Sequence, residues 1–114
     1  MLIKTKVQVV LKTDFIAVHC WPGCDIGTVS FLKYPHRHNF YVVMKFPVTH
    51  NDRDIEFLSK KQEVDTFIKN RYSYTDLGPM SCEDIAEQLL DKFGASFVSV
   101  YEDNENGAEV TVCE

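Results

Sequence analysis

His36 and His38 stand one residue apart at the head of an apolar alternation, HRHNFYVVMKF. In a β-strand every second side chain points to the same face, so both imidazoles join Phe40, Val42, Met44 and Phe46 on one side. Arg37, Asn39, Tyr41, Val43 and Lys45 take the other side. An earlier segment ends in the same way. Between Leu2 and Trp21, the residues Val7, Val9, Leu11, Phe15 and Ala17 share a face that closes on His19. Adjacent antiparallel strands would bring the three imidazoles together. Three neutral imidazoles with no fourth protein ligand describe a catalytic-type zinc site, in which water or substrate completes the tetrahedron. The competing use is structural, because a single histidine on a core face is more often a buried, hydrogen-bonded side chain than a ligand. The H-x-H spacing with a face-matched third histidine favours the metal. His50 falls in the polar stretch THNDRD and is expected to be solvated.

The elements that must hold these residues follow from periodicity and punctuation. Two long strands span Leu2–Trp21 and about His36–Val48, separated by the Pro- and Gly-bearing loop WPGCDIGTVSFLK. Residues 54–71 read as a helix with Phe57, Leu58, Val64, Phe67 and Ile68 on its apolar stripe. Ser81 is a good N-cap with Asp84 at the capping-box position, and Gly94 closes the second helix. Its buried face is Ile85, Ala86, Leu89, Leu90 and Phe93. ASFVSVYED, the turn NENG and AEVTVC then form a terminal hairpin. The order β-β-α-α-β-β means a four-stranded antiparallel sheet with two helices on one face, a single α+β domain over residues 1–114.

Composition narrows the partners. The formal net charge is −5 and no Lys/Arg cluster occurs, whereas nucleic-acid binding needs a positive footprint. No apolar run approaches the ~20 residues of a membrane span, and MLIKTKVQVV lacks a signal-peptide layout. A cytoplasmic location is the expectation, with no nucleic acid and no membrane among its partners. Cys20, Cys24, Cys82 and Cys113 show no paired zinc-ribbon spacing and are expected as free thiols.

The stretches FIAVHCW and HRHNFYVVMKF together resemble the zinc-binding signature of the 6-pyruvoyltetrahydropterin and 6-carboxytetrahydropterin synthase family. DIEFLSKKQEVDTFI is similar to that family's first-helix entry, PMSCEDIAEQLLDKF to its second-helix start, and VSVYED to the strand ending in its pterin-holding glutamate. The resemblance runs along the whole chain in order. It implies the tunnelling fold, with sheets closed into a barrel across the subunits of a homo-oligomeric ring or stacked rings. It also implies zinc on His19, His36 and His38, and ligand sites at subunit interfaces. Glu102 matches the glutamate that grips the ring edge, a carboxylate meeting two N–H donors in fork geometry. Glu83 matches the second-helix glutamate, with Ser81 and Cys82 beside it as ring-binding positions. An acid in a first helical turn is favoured by the helix dipole in any case.

Two departures bear on chemistry. The family's cysteine a few residues before H-x-H is missing from SFLKYPH, and Cys24, in the same loop, is the candidate to replace it. The family's Asp–His segment between the helices is here NRYSYTDLGPM, with Asp76 as its remnant and no histidine. An aspartate in a loop is usually a turn former. Two functions are implied. One is a lyase acting on a dihydroneopterin triphosphate-like substrate. The other is a non-catalytic relative that binds or sequesters a pterin, deazaguanine or nucleotide. A purely structural oligomer ranks last.

Overall fold

A computed structural model describes residues 3–113. Its elements are β1 (Gln8–His19), β2 (His36–Pro47), α1 (Phe57–Arg71), α2 (Cys82–Phe93), β3 (Phe97–Glu102) and β4 (Asn106–Thr111). The strands form one sheet in the order β1-β2-β3-β4, with every neighbouring pair antiparallel. The α+β architecture expected from the sequence is the one found.

Alternation decides which face is buried. Leu11, Phe15 and Ala17 of β1, Phe40, Val42, Met44 and Phe46 of β2, and Val98 and Val100 of β3 lie under the helices. Val64 and Ile68 from α1, Tyr72 at its C-terminal cap, and Ile85, Ala86 and Leu89 from α2 cover them. Phe40 has 0% exposure and stacks on Phe15 at 5.1 Å between ring centroids. Truncating such a ring to alanine costs about 3–5 kcal/mol, so it anchors the floor beneath the histidines.

The second helix begins and ends where its cap residues dictate. The Ser81 hydroxyl accepts from the Asp84 amide, the Asp84 carboxylate accepts from the Ser81 amide, and Gly94 closes the helix at φ 66°. Leu90 and Phe93 are half-buried against the core. The first helix starts later than its sequence pattern. Asp54 closes the preceding turn by accepting from the Thr49 amide and hydroxyl, and Glu56 is the N-cap, accepting from the Leu58 and Ser59 amides. Phe57 and Leu58 are exposed, not buried as their stripe suggests, since they stand in the first turn of α1, ahead of its buried residues Val64 and Ile68. Val7 is exposed too, and residues 3–7 precede the strand, which begins at Gln8. Leu2, the expected strand start, lies outside the described residues. Within the loop, Gly27–Lys33 forms 3₁₀ turns kinked at Val29, with no buried residue.

The link between the helices is tied to the open edge of β1. Val18 donates to Thr75 O at 3.0 Å, Leu77 to Val18 O at 2.7 Å, and Cys20 to Gly78 O at 2.9 Å. This lash-up carries Met80 and the start of α2 over His19. At the far side Gly107 passes so close to Val100 O and Tyr101 Cα (2.6 Å to the latter from an added Cβ) that no side chain fits. Among the described residues no helix is long and apolar enough to cross a membrane.

Candidate metal centre

Strand register assembles the site. His19 is the direct cross-strand partner of His36, and His38 lies opposite Ala17. Pairing between β2 and β3 begins at Phe40 and Glu102, so Glu102 arrives beside the two histidines of β2. The ring centroids of His19, His36 and His38 are separated by 4.5, 5.3 and 5.0 Å. One ligand atom from each histidine and one carboxylate oxygen of Glu102 all lie within 4.8 Å of one another.

The far nitrogen of each ring is already engaged. His19 Nδ1 meets Met80 O at 2.8 Å, and His36 Nδ1 meets Tyr34 O at 2.9 Å. His38 Nδ1 meets Asp103 Oδ2 at 2.7 Å. Carbonyl and carboxylate oxygens only accept, so each Nδ1 carries the hydrogen and, in the neutral ring, each Nε2 keeps its lone pair. Metal-binding histidines are held by partners of this kind.

The electrostatics favour a cation at the centre. His19 Nε2 is 2.8 Å from Glu102 Oε2, and His38 Nε2 is 3.6 Å from the same oxygen. The His19–Glu102 approach is poorly directed, and this buried Nε2 has no hydrogen-bond partner. Burial lowers the His19 pKa. Contact with Glu102, the Met80 carbonyl and the carboxylate charge outweigh it and leave His19 above its ordinary value. Contact with His19 holds Glu102 below the usual carboxylate range against its burial, and the charges of His38, His19 and His36 add to the effect. A positive charge is favoured here, as a proton or as a metal ion. Ligands ~2.0 Å from a tetrahedral ion stand ~3.3 Å apart, a value bracketed by the two contacts to Glu102. The cluster could hold a metal ion on the three imidazoles, with the Glu102 carboxylate beside them.

Beside this cluster opens a cleft of about 540 Å³, within the range of small-molecule sites. His19, His36 and Glu102 line it together with Ser81, Cys82 and Glu83, so the second-helix positions and the histidines share one cavity. Trp21, Leu32 and Met80 supply apolar wall. Ser81 Oγ is occupied as the helix cap, and Glu83 is exposed in the first turn of α2. Burial first, then the charges of Glu102 and Glu83, push the Cys82 thiol up to about 12, so it stays protonated at neutral pH.

Neither Cys24 nor Asp76 lines the cleft. Cys24 is buried, with its Sγ turned toward the carbonyls of Val29 at 3.6 Å and Ile26 at 3.9 Å. Exposed Asp76 accepts from the Gly78 amide at 2.8 Å, the self-bonded turn of a short acid. His50 is exposed beside Asp54, as its polar setting suggests. Asp103 was not legible as a site residue. The only signal was its place after Glu102, and its role depends on a turn conformation.

No protein-family model matches this chain, and no curated protein matches it. Among solved structures it is similar to an uncharacterized protein, WS1659 from Wolinella succinogenes. The TM-score is 0.75 at 11% sequence identity, covering 95% of this chain and 99% of that one. At that identity the likeness shows the fold alone.

Proposed function

We propose that this chain is a zinc-binding protein of the tetrahydropterin synthase type that takes a pterin or purine-like ring into the cleft beside the metal. The observation that carries the reading is the convergence of three imidazoles, each engaged through Nδ1, with Glu102 among them and lining a small-molecule cleft. His19, His36 and His38 hold the metal. Glu102 serves the ring edge, accepting its two N–H donors. Zinc would supply Lewis-acid polarisation of a ligand oxygen. A cytoplasmic homo-oligomer with its sites completed at subunit interfaces belongs to the same proposal.

Between turnover as a carbon–oxygen lyase and binding without turnover, the placement of Cys24 and Asp76 favours binding. A positioned general acid–base is worth roughly 10²–10⁴-fold in rate. Neither candidate for that role reaches the cleft. The deciding experiment combines metal analysis with ring binding on freshly purified protein. About one zinc per chain is expected, lost in His36→Ala and His38→Ala, together with saturable binding of a pterin. Full zinc content in both variants would make the histidines structural. Robust turnover of dihydroneopterin triphosphate that vanishes in Cys24→Ala would make the protein a rebuilt synthase.

A further inference from the structure

Glu102 and Asp103 are consecutive, yet their carboxylates reach opposite nitrogens of one imidazole. Glu102 Oε2 lies 3.6 Å from His38 Nε2, and Asp103 Oδ2 lies 2.7 Å from His38 Nδ1. The chain achieves this by leaving the strand at Asp103, whose φ of 54° is left-handed. That conformation is uncommon outside glycine, asparagine and aspartate. It is held on both sides. The Asp103 amide donates to Asn39 O at 2.7 Å, and Asp103 Oδ1 accepts from the Asn39 amide at 3.0 Å. Both oxygens of Asp103 are therefore used, one on the β2 backbone and one on a candidate metal ligand.

We propose that Asp103 is a positioning residue of the metal centre, fixing His38 as the Nδ1–H tautomer with its Nε2 lone pair toward the cation. This rests on the metal reading above. The other two histidines are oriented by backbone carbonyls, which no side-chain substitution removes. His38 alone depends on a side chain, and that side chain is a carboxylate. A carboxylate behind an imidazole also raises its basicity as a ligand. With Glu102, it brings two negative charges to three neutral rings, matching a divalent ion. Asparagine cannot replace it fully, since its single acceptor oxygen cannot serve both Asn39 N–H and His38 Nδ1–H.

The test is chelator-competition zinc binding by the full chain, comparing wild type with Asp103→Gly and Asp103→Asn. Both residues tolerate the left-handed turn, so the fold is kept while the carboxylate is lost. Loss of such an outer partner typically weakens metal binding 10–100-fold, and that range is expected for Asp103→Gly, with a smaller loss for Asp103→Asn. Long-range ¹H–¹⁵N spectra of the His38 ring should show the Nδ1–H tautomer in wild type and a mixture in Asp103→Gly. A merely structural turn residue would leave that tautomer unchanged. Affinity within about twofold of wild type in both variants, far below the usual loss, would overturn the assignment while leaving the metal site standing. Wild-type protein that takes up no zinc would sink the metal reading and this assignment with it.

Discussion

His19 Nε2 and Glu102 Oε2 face each other at 2.8 Å across the ends of two strands that are not neighbours, with β2 between them. With its Nδ1 hydrogen given to Met80 O, a neutral His19 would set a lone pair against a carboxylate. Such a contact is stable only around a positive charge. A proton or a metal ion could supply that charge, and the two would compete for the same place.

For the proposed zinc site, that competition sets a pH dependence. His19 is raised above its ordinary 6.5, so its contribution to the metal-free fold is full below 6.5 and is lost as pH rises through the folded value. Glu102 is lowered below its ordinary 4.5, so its contribution is full above 4.5 and is lost as pH falls through the folded value. The pair therefore supports the metal-free protein best between about pH 4.5 and 6.5. Zinc should raise the melting temperature more at pH 7.5 than at pH 5.5, because binding must displace the His19 proton. Equal shifts at the two pH values would rule out the competition.

Ring recognition should depend on one side chain. Glu102→Gln exchanges an acceptor pair for one acceptor and one donor, so an N–H fork meets a mismatched amide. Charge-assisted bonds of this kind contribute ~1.5–3 kcal/mol, and pterin affinity measured by calorimetry should fall at least tenfold. Cys24→Ala should leave binding unchanged, since its thiol is turned to backbone carbonyls away from the cleft. Tight binding that survives Glu102→Gln would place the ring elsewhere.

What the chain disclosed in advance depended on how local each signal was. Period-two alternation put His19, His36 and His38 on the core face, because strand geometry needs no knowledge of the rest of the fold. Ser81, Asp84 and Gly94 bounded α2 for the same reason, as caps act within one turn. Phe57 and Leu58 misled because a stripe shows which way a helix faces, not which of its turns are buried. Asp103 stayed hidden because its contact with His38 needs both the Phe40–Glu102 register and a left-handed turn. Cys24 depended on a loop whose folding carries no periodicity.

The cysteines should separate by burial. Cys82 is 7% exposed and its thiol is pushed up to about 12, whereas Cys113 is exposed. Iodoacetamide at pH 8 should label Cys113 and spare Cys82 in the folded protein, with both labelled in urea. The same shift weakens the fold in alkali. Between pH 9 and about 12 the unfolded chain loses the Cys82 proton while the folded chain keeps it, so stability falls as pH rises through that window. Tyr72, raised above 10.0 by its burial, acts in the same direction. Rapid labelling of folded Cys82 at pH 8 would contradict its enclosure.

Assembly is the last expectation, and it follows from surface the single chain leaves open. Its radius of gyration is 16.2 Å, with extents of 56 × 32 × 21 Å. A compact domain of this length has a radius near ~13 Å, so the chain is elongated. Its helices cover one face only, and Val10 and Tyr41 are exposed on the other. Among the described residues β4 pairs with β3 alone, leaving its outer edge available. Exposed edges are ordinarily covered, charged or paired with another chain. Trp21, which lines the cleft, and Phe31 and Tyr34 in the same loop are also exposed, although aromatic rings are costly to leave in water. A cyclic homo-oligomer or stacked pair of rings would cover these surfaces. Sedimentation at micromolar concentration should show a discrete assembly, with a melting temperature that rises with protein concentration. A stable monomer with a concentration-independent melt would refute it.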